Sequence, residues 1–243
     1  MSLRFSVLVL VAATVAALAT AIVRAPAAWA ADWLEAHSRL RLLDPRGTLW
    51  SGSAMLAVSD GRRMALLPGR VAWRVDALSL AAGRLSARID HPWSATPLQL
   101  SARSGGVALQ SGSAQVPAAA LAALGAPFNT IRPGGVLELR WTDLALAPGA
   151  LAGSLQIDWR DAQSALSTVA PLGTYRLRVA SGNVQLETVS GPLQLQGTGT
   201  LRGLRLSFRG TASVEPQMRP ALNGLLGVLG PRSGDNVLLA LET

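Results

Sequence analysis

Apolar and polar residues alternate one by one along most of this chain, and that period of two limits it to half-buried strands. Val71, Trp73 and Val75 alternate with Ala72, Arg74 and Asp76. Leu137, Leu139 and Trp141 alternate with Glu138, Arg140 and Thr142, and Leu155, Ile157 and Trp159 with Gln156, Asp158 and Arg160. Further on, Tyr175, Leu177 and Val179 oppose Arg176 and Arg178, Val184 and Leu186 oppose Gln185 and Glu187, and Leu204, Leu206 and Phe208 oppose Arg205 and Ser207. Each such strand has one dry and one wet face, which antiparallel sheets tolerate and parallel sheets do not. Ser181-Gly182-Asn183 and Ser190-Gly191-Pro192 supply turns between them. The expected fold is therefore mainly β: a curved antiparallel sheet, a sandwich or a partly open barrel, with one or two short helices.

Two stretches break the rule and read as those helices. Pro117 to Leu124 is alanine-rich, with Gly125 placed to end it. From about Pro220 to Leu229, Leu222, Leu225, Leu226 and Leu229 share a face, and Gly230-Pro231 closes the segment. Asn236 to Leu241 then reads as a last strand, and residues 127–133 as a seam between two lobes. Leu49-Trp50-Ser51-Gly52-Ser53-Ala54 is echoed by Leu109-Gln110-Ser111-Gly112-Ser113-Ala114, which we read as a recurring strand-turn-strand unit rather than a duplication.

The amino terminus obeys a different pattern. Nineteen uncharged residues, Phe5 to Val23, lie between Arg4 and Arg24. As a helix rising about 1.5 Å per residue they extend roughly 28 Å, close to the hydrocarbon thickness of a bilayer. Ala28-Trp29-Ala30 before Ala31 has the small-x-small form of a signal-peptidase site, but the apolar run is long for a cleaved leader, and Arg24 and Pro26 separate it from the cut. The expectation is a retained anchor over 1–24, a juxtamembrane segment over 25–45, and a β-rich domain over 46–243 held against the membrane outside the cytoplasm.

Composition narrows the chemistry. Cysteine is absent, which excludes disulfides, thiolate nucleophiles and thiolate metal sites. All 22 basic residues are arginine, and the 20 beyond Ala31 face 14 acids, scattered along the chain. Nucleic-acid binding requires a basic stripe interleaved with stacking aromatics, so no nucleic-acid partner is expected. His37 and His91 lack metal-pair spacing, and no phosphate-cradling loop is present. Asp158 and Asp161 read as solvated polar residues at a strand end. We expect no enzyme activity, no catalytic, metal or cofactor site, and no small-molecule ligand other than lipid.

Arg46-Gly47-Thr48-Leu49-Trp50-Ser51-Gly52-Ser53-Ala54 opens the β-rich domain. Trp50, Ala54, Leu56 and Val58 have one parity, which places the indole on the dry side, and Gly52 leaves room for close backbone approach or a bulge. Together with Pro26-Ala27-Ala28-Trp29 and Val71-Ala72-Trp73-Arg74-Val75, this segment resembles protein N of the bacterial type II secretion system. Gly47, Trp50, Gly52 and Trp73 carry the motif. The likeness continues through Pro171-Leu172-Gly173-Thr174-Tyr175, Gly191-Pro192-Leu193-Gln194-Leu195-Gln196-Gly197, Phe208-Arg209-Gly210-Thr211-Ala212 and the leucine-rich stretch from Glu215 to Gly230. It implies an accessory inner-membrane subunit of the machine that exports folded proteins across the outer membrane, with one transmembrane helix, a periplasmic domain, other secretion subunits as partners, and no catalytic residues.

Such a protein works by contact. Five arginines and a single acid, Glu187, lie between Ala162 and Val214. An edge strand, or the face bearing Arg176, Arg178, Arg205 and Arg209, is the expected docking surface for an acidic partner. The rival expectation is an envelope lipid or glycolipid carrier, with Trp73, Trp141, Trp159 and Phe208 lining an apolar groove.

Overall fold

The computed structural model describes residues 20–38, 40–59, 64–125, 128–147, 150–203 and 205–242. Most of the anchor expected over 1–24 lies outside them; they begin with a helical turn at residues 20–23. Among the described residues no helix is long and apolar enough to cross a membrane.

The body is one open antiparallel sheet of fifteen strands. Strands β1 (Leu40–Gly47), β2 (Ser51–Ser59), β3 (Met64–Val75), β4 (Leu85–Asp90), β5 (Leu98–Arg103) and β6 (Gly106–Leu109) follow one another in space as in sequence. The next, β7 (Gly112–Pro117), and β6 lie end to end along the same side of the long β8 (Pro133–Ala147). Then β9 (Ala150–Ser164), β10 (Gly173–Ala180), β11 (Asn183–Ser190), β12 (Leu193–Arg202) and β13 (Arg205–Val214) continue the meander, and β15 (Asn236–Glu242) closes it with the two-residue β14 (Arg232–Ser233) at the rim. Of the three architectures allowed by the alternation, the open sheet is the one formed.

The carboxy-terminal helix falls where the leucine spacing puts it, Arg219–Leu229 (α4 below), and buries Leu222, Leu225 and Leu226 against the sheet. The core beneath it gathers Ile131, Ala162, Leu172, Tyr175, Leu193, Ala212, Val214 and Val237. The Tyr175 hydroxyl lies 3.1 Å from the Leu172 carbonyl and 3.0 Å from that of Leu193, and burial pushes its pKa above the ordinary phenol range. The alanine-rich stretch forms a 3-10 helix, Ala118–Leu124, ended by Gly125 at φ 88°. It contacts β2, β3 and β8. A four-residue helix, α3 (Phe128–Ile131), then leads into β8, on the carboxy-terminal side of residues 126 and 127, which are not described.

Like α3, two α-helices nearer the amino terminus were not expected. The first, α1 (Ala27–His37), follows Pro26, whose backbone is extended, and Ala27, Ala28, Ala30 and Ala31 in its first turns favour helix. The second, α2 (Ala77–Ala81), is capped by Asp76, whose carboxylate accepts the Leu78 N–H at 3.0 Å. The segment 25–45, expected to lie next to the membrane, therefore holds a helix and most of a strand. Strand β2 also departs from strict alternation: Ala57 and Val58 are both buried, just past the point where extra residues of β3 shift the register opposite Leu56.

Candidate functional site

The wet face of the carboxy-terminal sheet carries a ladder of ion pairs. Register places Glu138 of β8, Asp158 of β9 and Arg176 of β10 directly across from one another, with Glu187 of β11 next in line. Paired residues on antiparallel strands share a face, so their side chains meet. Arg160 bridges Glu138 at 2.9 Å, Arg140 reaches Glu138 and Asp158 at 3.3 Å, Arg176 Nε donates to Asp158 at 2.5 Å, and Arg178 bridges Glu187 at 2.8 Å.

Asp158 is the centre of this ladder, and it is not a solvated strand end: it lies in mid-strand and is only 3 % exposed. Burial acts to raise its carboxyl, but hydrogen bonds from the Gln156 amide and Arg176, with the charges of Arg176 and Arg140, hold it below the usual carboxylate range. Asp161 is exposed, at a bulge where its φ is 48°. The alternation places Asp158 on the correct face. What it cannot convey is that arginines eighteen residues away in either direction close over the carboxylate.

The four arginines expected to form a docking surface do share one face, since Arg178 opposes Gln185, Gln185 opposes Thr198, and Thr198 opposes Arg209. They do not form one cluster. Three strand spacings, about 14 Å, separate Arg176 and Arg178 from Arg209. The first two are committed to Asp158 and Glu187. Arg205 and Arg209 make no ion pair among the described residues, and neither does Arg202, which the sequence reading passed over. Register sets Arg202 directly opposite Arg205 at the tip of the β12–β13 hairpin, an arrangement of like charges that costs stability. The Arg-Gly-Leu-Arg spacing is the signal that would have found it. Further down the same strands, Gln185, Glu187, Gln196, Thr198, Arg209 and Thr211 line an open hollow of about 550 Å³.

The family-like motif forms a joint at the other end of the molecule. Gly47 pairs with Gly52 across the β1–β2 hairpin, and Gly47 adopts φ 87°, a left-handed conformation that glycine takes without strain. Trp50 is in the turn, not on the dry face of β2 with Ala54 and Val58. Its indole Nε1 donates to the Ile22 carbonyl at 2.8 Å, Leu49 N donates to the Ala25 carbonyl at 2.8 Å, and Pro26 bridges Thr48. Ala25 and Ala27 are buried in the closure. The motif thus fastens the end of the apolar run to the sheet, a long-range role that period-two reasoning does not reveal.

Three of the four aromatic residues read as a groove lining, Trp73, Trp141 and Phe208, are packed against glycines. Trp73 lies opposite Gly52 and donates to the Leu49 carbonyl at 3.0 Å. Trp141 lies opposite Gly112 and donates to the Gln110 carbonyl at 2.7 Å. Trp159 donates to the Gly134 carbonyl at 2.9 Å, and Phe208 sits over Gly197 and Gly199. A methyl group on Gly52 would stand 2.6 Å from Trp73, and on Gly197 2.5 Å from Phe208, so each ring fills the space its glycine leaves. Both halves of the sequence echo place their glycine under an indole in this way.

A family model described as type II secretion system (T2SS), protein N, matches residues 38–238 of the chain. No curated protein and no solved structure gives a significant match.

Proposed function

Because the chain belongs to the type II secretion system protein N family, we propose that it is an accessory inner-membrane subunit of that machine and works by protein contact, not by catalysis. The apolar run from Phe5 to Val23 anchors it, and the sheet extends into the periplasm. The observation that carries the reading is the extent of the family match, which begins beside the joint and runs through the whole meander into β15.

The docking surface in this reading is the tip of the β12–β13 hairpin. Arg202, Arg205 and Arg209 lie on one face with no acid bound to them among the described residues, whereas Arg176 and Arg178 are already neutralised. Two arginines forced opposite each other gain stability when an acidic surface comes between them. The partner's contact is accordingly rich in Asp or Glu and belongs to another secretion subunit.

A photo-crosslinking residue at position 205 or 209, activated in intact envelopes, tests this. Secretion subunits recovered from both positions are the expected outcome, with recovery reduced by charge reversal at Arg202. Recovery of no secretion subunit from either position, with the protein present at normal level, removes the proposal.

A further inference from the structure

Helix α1 has three sides. Ala27, Ala30, Ala31 and Leu34, spaced at three and four residues, face inward and are buried or half-buried. Asp32 and Glu35 project from a second side, where Glu35 pairs with Arg41. Trp29 and Trp33, four residues apart, project together from the third, at 56 % and 63 % exposure. The Trp33 ring stacks on His37 with centroids 4.8 Å apart, so it is ordered and still uncovered. Elsewhere in the molecule Trp73, Trp141 and Trp159 place their indole N–H on a backbone carbonyl of the sheet and lie against their own fold. Among the described residues Trp29 and Trp33 have no such seat.

Their position in the chain says what covers them. Val23 ends the apolar run, and Trp29 follows six residues later, a reach of at most about 20 Å. Ile22 and Val23 are themselves more than half exposed. The turn between run and helix is held: the Trp50 indole holds the Ile22 carbonyl, Leu49 holds that of Ala25, and Pro26 and Thr48 bridge. The headgroup layer of a bilayer is only about 5–8 Å deep on each side, so a helix fastened this close to the end of an anchor can keep two indoles in that layer only by lying along it. Indoles prefer that depth, where the ring meets apolar chains and the N–H meets water and carbonyls.

We propose that α1 lies along the outer headgroup layer of the membrane that holds the apolar run, with Trp29 and Trp33 inserted into the lipid. This rests on the reading of that run as an anchor. The consequence is that the Trp50 joint sets the angle between bilayer and sheet.

The chain contains no cysteine, so single substitutions Trp29→Cys, Trp33→Cys, Asp32→Cys and Val15→Cys each carry one unique spin label. The full chain is reconstituted in bilayers of phosphatidylethanolamine and phosphatidylglycerol, and collision with oxygen and with a water-soluble nickel complex measures depth. The expected result is lipid-facing labels at 29 and 33, a water-facing label at 32, and a deep label at 15. Water-facing labels at 29 and 33 with a deep label at 15 overturn the proposal and leave the anchor standing. A water-facing label at 15 removes the anchor reading itself. Shielding at 29 and 33 that arises only when other secretion subunits are added assigns the indoles to a protein partner and also overturns the proposal. A readout that keeps the helix surface aromatic uses lipids brominated near the headgroup: they should quench the unsubstituted protein more than the Trp29→Phe/Trp33→Phe variant, and equal quenching of the two is the contrary result.

Discussion

The two halves of the sheet are built from the same strands but closed in different ways. Under α4, side chains as large as Leu222, Leu225, Leu226 and Tyr175 are almost wholly buried, and they form one contiguous core with Val214 and Val237. Around β1 to β5 the buried positions are mostly alanine: Ala25, Ala27, Ala54, Ala57 and Ala87, with Ala118 from the 3-10 helix and one larger residue, Val58. Larger apolar residues of that half, Met64, Leu66, Leu78 and Leu80 among them, stand at least 40 % exposed. Burial stabilises in proportion to apolar area, so an alanine floor contributes far less than a leucine one. The carboxy-terminal half is held by its own core, whereas the amino-terminal half relies on backbone ladders, on indoles pinned to carbonyls, and on its fastening to residues 22–27.

Cutting into the leucine core is the most direct way to break this comparison. Leu222→Ala should cost about 3 kcal/mol in denaturant unfolding, because a fully buried leucine leaves a cavity that the rigid sheet fills poorly. A cost near that of a surface substitution would mean that α4 is not the keystone of its half. The joint gives the next largest effect. Gly52→Ala places a methyl 2.6 Å from Trp73 and 2.7 Å from the Arg46 carbonyl, and since a backbone oxygen cannot step aside, about 2 kcal/mol should be lost. Gly112→Ala meets only the Trp141 ring, at 2.8 Å, and should cost less. Equal losses at the two glycines would erase the distinction between a joint and a plain ring-over-glycine contact.

Removing the charge of Asp158 tests the ladder. Asp158→Asn should cost about 1.5 kcal/mol, since Arg140 and Arg176 lose their shared carboxylate while both remain partly solvated. The same group predicts an acid limit. With its folded pKa below the unfolded value, its contribution is complete above about pH 4 and disappears as the pH falls through the folded value. Thermal melts of the wild type should steepen in their pH dependence there, and those of Asp158→Asn should not.

The smallest effect belongs to the amino-terminal half. His91 sits edge-on to Trp93 with ring centroids 4.6 Å apart, and burial lowers its pKa. Its Nε2 has no hydrogen-bond partner among the described residues. The unfolded chain therefore takes up the proton first, and stability present above about pH 6.5 declines as the pH falls below it. A slight loss of melting temperature in that window, absent in His91→Gln, is the expected outcome. The two halves would then differ in acid, one yielding near neutrality and the other only below about pH 4.

What the sequence discloses follows from the range of the interaction behind it. Alternation is local, and β8, β9, β10 and β13 all lie where it puts them. The leucine spacing finds α4, and glycine finds the end of the 3-10 helix. Bulges are less legible. Gly135 and Gly153 adopt φ 93° and 85° where the β8–β9 pairing slips, opposite Asp161 and Asp143 at φ 48° and 41°, yet nothing in the alternation marks them. The arginines expected to dock a partner are half legible: their shared face follows from parity, but their division into neutralised and unpaired groups among the described residues depends on which strands pair. Trp50 was misread because its partner, Ile22, lies twenty-eight residues away across a turn.

The order of strands in the sheet departs from their order in the chain only where β6 and β7 share a side of β8 and where β14 lies outside β15. After β1, each new strand except β7 and β14 therefore finds a neighbour already made. Loop closure between successive strands is short and cheap, which favours rapid formation despite the all-β composition. A polypeptide that emerges amino terminus first can grow this sheet one rung at a time from the Trp50 joint outward, like a zip fastened at its lower end, with β7 the strand that has to await a partner made well after it.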